Sequence, residues 1–142
     1  MTAVAGRIGV LRFDGGSRGN PGPAASGFVI EVDGQVVLEE GHFLGRATNN
    51  EAEYDGLIRG MMRARDLHVD KLTVCGDSQL ILLQVMGRYK VKAKNLKELS
   101  KKAKELAGEF AALDFKFVPR EKNKEADKIL NKALNEKRDV ME

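Results

Sequence analysis

Asp14, Glu53, Asp77 and Asp127 are the residues whose type and setting point to chemistry. Asp14 closes an apolar run containing Ile8, Val10, Leu11 and Phe13, and the glycines after it can bring backbone amides close to a ligand. Asp77 follows Gly76 at the end of a second β-rich run. Each has a plainer use, since Asp14 could start a turn and Asp77 could cap the helix that follows. Glu53 shares a helical face with Leu57, Met61 and Ala64, and Asp127 shares one with Leu130 and Leu134. A carboxylate that extends a core stripe must be paired or bound to a cation, because burying it alone costs several kcal/mol. The alternatives are a helix start open to solvent for Glu53, and a border position beside Lys124 and Lys128 for Asp127.

If these acids share one pocket, their repulsion calls for cations. An all-oxygen donor set without clustered His or Cys suits Mg²⁺, with Mn²⁺ as a substitute. Two such ions roughly 4 Å apart are suited to phosphodiester hydrolysis.

The elements that must position the acids can be read from periodicity and turn chemistry. Arg7 to Asp14 is apolar on both parities, which predicts a strand buried on both faces. Gly27 to Val32 and Gln35 to Glu40 flank Asp33-Gly34, the dipeptide of a type I′ hairpin. Asn50 to Leu67 has helical spacing, and Thr48 with Glu51 has the form of a capping box. Lys71 to Cys75 predicts a strand, Asp77 to Met86 a helix closed by Gly87, and Asn95 to Phe110 a basic helix with Leu99, Ala103, Leu106 and Phe110 inward. Asp114 to Val118 is a last strand ended by Pro119, and Glu125 to Lys137 a last helix. The order βββαβααβα implies an α/β fold whose mixed five-stranded sheet begins antiparallel and ends parallel, flanked by helices. Ligands of such sheets bind beyond the carboxyl ends of parallel strands, where Asp14 and Asp77 fall.

Composition agrees with a globular protein. The 142 residues are 42% hydrophobic and 32% charged, which excludes disorder and predicts a single domain spanning 1–142. No run approaches the roughly 20 apolar residues of a membrane span, and Met1 to Ile8 lacks a secretory apolar core, so a cytoplasmic setting is expected. The single cysteine, Cys75, cannot form an internal disulfide. The net charge is only +3, but Arg88, Lys90, Lys92, Lys94, Lys97, Lys101, Lys102 and Lys104 lie in one stretch with Glu98 the sole acid.

Four segments resemble type 1 ribonuclease H: Asp14-Gly-Gly-Ser-Arg-Gly-Asn-Pro-Gly22, Thr48-Asn-Asn-Glu-Ala-Glu-Tyr54, Gly76-Asp-Ser-Gln79 and Val118-Pro-Arg-Glu-Lys-Asn-Lys-Glu-Ala-Asp127. They occur in the family's order and span most of the chain. The resemblance implies a metal-dependent endonuclease that cuts the RNA strand of RNA/DNA hybrids without sequence preference and leaves 5′-phosphate and 3′-hydroxyl ends. It implies two metal ions on Asp14, Glu53, Asp77 and Asp127, hybrid contacts from Gly15, Asn20, Asn49, Asn50 and Gln79, and a DNA-phosphate pocket at Arg46 and Thr48. An amide side chain can donate to and accept from a ribose 2′-hydroxyl, and an Arg beside a hydroxyl suits a phosphate.

Two features differ from many family members. Trp is absent, and the segment Tyr89 to Lys94 is too short for a long basic handle, which predicts weaker duplex binding. The loop before Asp127 has no histidine, leaving Arg120 or Lys122 to assist, while His42 and His68 are expected to be structural or solvated. No organic cofactor is expected, and a monomer is. Rival readings are a noncatalytic nucleic-acid-binding domain and a nuclease of the same fold acting on double-stranded RNA or DNA junctions.

Overall fold

The structure, a computed structural model, describes residues 6–142. β1 (Arg7–Ser17), β2 (Gly22–Val32) and β3 (Gln35–Ala47) form an antiparallel meander. Asp33 and Gly34 both take the positive φ that a type I′ turn requires, 51° and 85°. β4 (Val69–Gly76) and β5 (Ala112–Phe117) add in parallel beyond β1, each after a helical crossover. The helices are α1 (Asn49–Asp66), α2 (Gln79–Val85), α3 (Lys94–Ala107) and α4 (Lys124–Glu136).

The expected mixed sheet is present, with one addition at its edge. β6 (Val140–Met141) pairs antiparallel with β3, giving the order β5-β4-β1-β2-β3-β6. Two residues carry no readable period. What fixes them is Val140, buried with Ala25, Ile129, Ala133 and Leu134 in a small second core.

The main core lies between the sheet and α1, α2 and α3, and contains Leu11, Phe13, Phe28, Tyr54, Leu57 and Met61. Among the described residues the opposite face is covered by α4, which packs mainly on β2 and β3. This corrects the expectation that β1 is buried on both faces: Leu11 and Phe13 are, but Ile8 is 57% exposed because α4 crosses that face only near the site end of the sheet. The crossing is close. Gly27 and Gly41 are partners across β2 and β3, and a Cβ on either would stand 2.5 Å and 2.4 Å from the carbonyl oxygens of Ala126 and Ile129 in α4. Glycine is required there by contact between backbones. Among the described residues no helix is long and apolar enough to cross a membrane.

Candidate active site

Register brings the first pair of acids together. β1 and β4 are parallel, with Arg12 opposite Cys75, so Asp14 and Asp77 stand two residues further on, just past the end of this pairing. Asp77 follows the last residue of β4, whereas β1 does not end at Asp14 as expected but runs on to Ser17 along β2. Asp77 is not a helix cap: Ser78 holds that position, its side chain accepting from Ile81 N. The Asp77 carboxylate is thereby left for the cleft. Glu53 arrives from the first turns of α1, whose start is fixed by the complete capping box of Thr48 and Glu51. Asp127 comes from the start of α4.

These acids line one open cleft of about 540 Å³, together with Gly15, Asn49, Phe117, Arg120 and Asn131. Asp14 and Glu53 are buried, at 6% and 9% exposure. Burial, joined by the charges of Asp77, Asp127 and Glu53, pushes the Asp14 carboxyl up to about 8, against the pull of the Gly15 amide that donates to it at 2.8 Å. Burial also pushes Glu53 up to about 7, against the pull of the Ser78 side chain and with Asp77 adding to the rise. Asp77 is raised chiefly by burial, and the Arg120 guanidinium pulls it back. Glu53 Oε1 accepts from Asn49 Nδ2 at 2.9 Å, while Oε2 is buried with no hydrogen-bond partner among the described residues.

An orphaned carboxylate oxygen, two carboxyls held far above their ordinary range and an all-oxygen donor set fit divalent cations. Among the described residues no three His, Cys, Asp or Glu side chains close on a ready-made ion position.

The remaining predicted residues distribute unevenly. Asn49 lines the cleft, and its backbone N–H donates to Asn20 Oδ1 at 3.0 Å, which ties the Gly19–Pro21 turn to the start of α1. The Asn20–Pro21 peptide is cis. Asn50 is half-buried in the first turn of α1, Gln79 is exposed at the start of α2, and Arg46 is exposed at the end of β3, next but one to Thr48. These stand around the cleft rather than in it. Of the two loop cations, Arg120 lines the cleft and Lys122 does not. All eight basic residues between Arg88 and Lys104 are exposed, on α3 and the segment before it. His42 is buried and bonds Glu40 at 2.8 Å, and Glu40 also accepts from Arg63; His68 is exposed with φ 59° just past α1. Both lie outside the cleft.

Sequence reading does not single out Asn123, which the charged run around it conceals. Its side chain is fully buried and Nδ2 donates to Phe13 O at 2.8 Å, while its carbonyl accepts from Asp127 N at 3.2 Å. One residue thus links the strand that carries Asp14 to the helix that carries Asp127. Asn123→Ala leaves the Phe13 carbonyl without its buried donor, and a loss of about 1–3 kcal/mol in unfolding free energy, read as a lower denaturant midpoint, is expected. An unchanged midpoint would remove Asn123 from this role.

The family described as reverse transcriptase-like matches residues 12–133. A ribonuclease HI of Halobacterium salinarum is 44% identical over 125 residues, 87% of this chain and 63% of that protein. A bifunctional protein of Mycobacterium tuberculosis is 44% identical over 128 residues, 89% of this chain and 35% of that one. The chain therefore spans less than two thirds of the length of these relatives. LC11-RNase H1, solved in complex with an RNA/DNA hybrid, superposes with a TM-score of 0.85 at 39% identity, covering 91% of this chain and 98% of that one. With the segment order, the mixed sheet and the converging acids in agreement, these likenesses make the chain a member of the type 1 ribonuclease H family.

Proposed function

We propose that the chain is a divalent-metal-dependent endonuclease that hydrolyses the RNA strand of RNA/DNA hybrids, independently of sequence, leaving 5′-phosphate and 3′-hydroxyl ends. The observation that carries the reading is the convergence of Asp14, Glu53, Asp77 and Asp127 in one cleft, with a buried Glu53 oxygen left unpaired. The hybrid substrate is supported by the likeness to LC11-RNase H1, whose structure contains one.

In this reading the four carboxylates hold two Mg²⁺ ions, or Mn²⁺ in their place. When bound, the cations would supply activation of water and neutralisation of charge at the scissile phosphate. Asn49 orients Glu53 through its amide, and Gly15 N–H orients Asp14. Asn20, Asn49, Asn50 and Gln79 offer amides to ribose hydroxyls, and Arg46 with Thr48 holds a DNA phosphate. Arg120, the cleft-lining loop cation, stands as a fixed positive charge beside the reacting phosphate. The exposed basic surface of α3 attracts the duplex backbone. The chain acts as a single domain and a monomer, in the cytoplasm, without an organic cofactor.

End-labelled RNA/DNA hybrid, double-stranded RNA and double-stranded DNA, each with Mg²⁺ at one salt concentration, test the reading. Cuts confined to the RNA strand of the hybrid are expected. Binding without Mg²⁺-dependent cuts would favour the noncatalytic reading, and faster cutting of double-stranded RNA would move the substrate. Arg120→Ala is expected to lower kcat by about tenfold or more, and Lys122→Ala to leave it near the parent value.

A further inference from the structure

Phe117 is the one large apolar side chain exposed in the cleft among the described residues. It is 54% exposed, whereas Leu130 and Leu134, which share the cleft, are almost fully buried. Strand geometry accounts for its place. Leu113 and Phe115, on the same parity of β5, pack against the main core, and Phe117 continues that face without cover. It pairs with Gly76, the residue before Asp77, and Val118 N donates to Gly76 O at 2.9 Å, so the ring stands beside the acid end of β4. Arg120, three residues on, lines the same cleft.

An aromatic face, a fixed cation and a carboxylate cluster side by side match the parts of a nucleotide: a ribose with an apolar C–H face, attached to an anionic phosphate. Resting on the hybrid-nuclease reading above, we infer that Phe117 seats the ribose of an RNA-strand nucleotide adjoining the scissile phosphate. The sugar is the partner because bases within a duplex are stacked on one another and present no free face. The RNA strand is the partner because the ring shares its cleft with the acids proposed to act on that strand.

The test uses Asp14→Asn protein, in which cleavage is silenced, alone and with Phe117→Ala or Phe117→Leu, titrated with labelled RNA/DNA hybrid and with DNA duplex over a salt series. Phe117→Ala is expected to raise the hybrid Kd about five- to tenfold, as lost apolar burial of one ring face implies, and Phe117→Leu to recover most of the loss. The salt slope and the unfolding midpoint stay unchanged, because neither a charge nor a covered core group is removed. In the otherwise intact enzyme, Phe117→Ala raises KM and leaves kcat near the parent value. Equal hybrid affinity with and without Phe117 overturns this inference and leaves the nuclease reading standing. An equal loss on DNA duplex overturns the RNA-strand assignment. Failure of the Asp14→Asn parent itself to bind hybrid overturns the nuclease reading and this inference with it.

Discussion

Asp14→Asn is expected to abolish Mg²⁺-dependent cleavage, by about a thousandfold or more, while raising the stability of the metal-free protein above neutral pH. The two effects have one cause. Asp14 titrates at about 8 in the folded chain and near 3.8 as an ordinary carboxyl, so between those values the folded state holds a proton that the unfolded state has lost. The contribution of Asp14 to stability therefore falls as pH rises from about 4 to 8, and that of Glu53, at about 7 against 4.5, falls with it. Asn keeps the shape and the buried position but removes the charge, so this part of the pH dependence disappears. Each kcal/mol relieved is worth roughly 3–6 °C in Tm for a domain of this size. Divalent cations should act in the opposite direction on the parent, stabilising the ionised acids by mass action, and more Mg²⁺ should be needed at pH 6 than at pH 9 because protons compete for the same oxygens. The measurements are single-turnover cleavage and metal-free melting from pH 4 to 9 for the parent, Asp14→Asn and Asp77→Asn. Turnover by Asp14→Asn within tenfold of the parent sinks the assignment, as does a Tm difference between Asp14→Asn and the parent that does not grow in the variant's favour as pH rises across that range.

The acids were legible because each breaks a pattern that is itself strong. Glu53 interrupts a stripe ending in Leu57, Met61 and Ala64, all fully buried, and Asp14 follows Leu11 and Phe13, both core, in a strand that runs on to Ser17. The cap alternative for Asp77 fails because Ser78 caps α2, the turn alternative for Asp14 because β1 runs on to Ser17, and the solvent alternative for Glu53 because it is buried despite lying near a helix start. The hairpin at Asp33-Gly34 and the capping box at Thr48 were equally readable, since both depend on residues within a few positions of one another.

What sequence did not show depends on partners far away in the chain. Asn123 reads as one polar residue in a charged run, and its importance lies in a carbonyl 110 residues earlier. Val140 reads as a tail residue and becomes buried only because α4 and β3 meet beneath it. The exposure of Ile8 could not be foreseen from parity, because it depends on how little of the sheet α4 covers. Gly27 and Gly41 carry no local turn signal at all, and their lack of a side chain is explained by a helix that arrives nearly 100 residues later.

The neighbours Gly15 and Gly16 turn that last point into a sharp contrast. A Cβ on Gly15 would lie 2.2 Å from both Ala52 C and Glu53 N, inside the backbone of α1, whereas one on Gly16 would meet only Leu130 Cδ1 at 3.5 Å. The first contact cannot be relieved by turning a side chain, because what it strikes is a helix backbone held down by Leu57 and Met61 in the core. Gly15→Ala must therefore lift the start of α1 away from β1, and with it Glu53 away from Asp14, the pair whose spacing the cleft depends on. The expected cost is about 2–4 kcal/mol of stability, at or above the upper end for overpacking, with cleavage reduced at least a hundredfold in whatever fraction remains folded. Gly16→Ala, at ordinary van der Waals distance and without a positive φ, should change stability by less than about 1 kcal/mol and leave turnover within a few-fold of the parent. Gly15 N–H donates to the Asp14 carboxylate in either case, so the comparison isolates the close approach of strand and helix from the hydrogen bond. Denaturant midpoints and steady-state cleavage of the hybrid for the two variants decide it: equal behaviour of Gly15→Ala and Gly16→Ala would show that the α1 start yields freely and that Glu53 is not held in place by this contact.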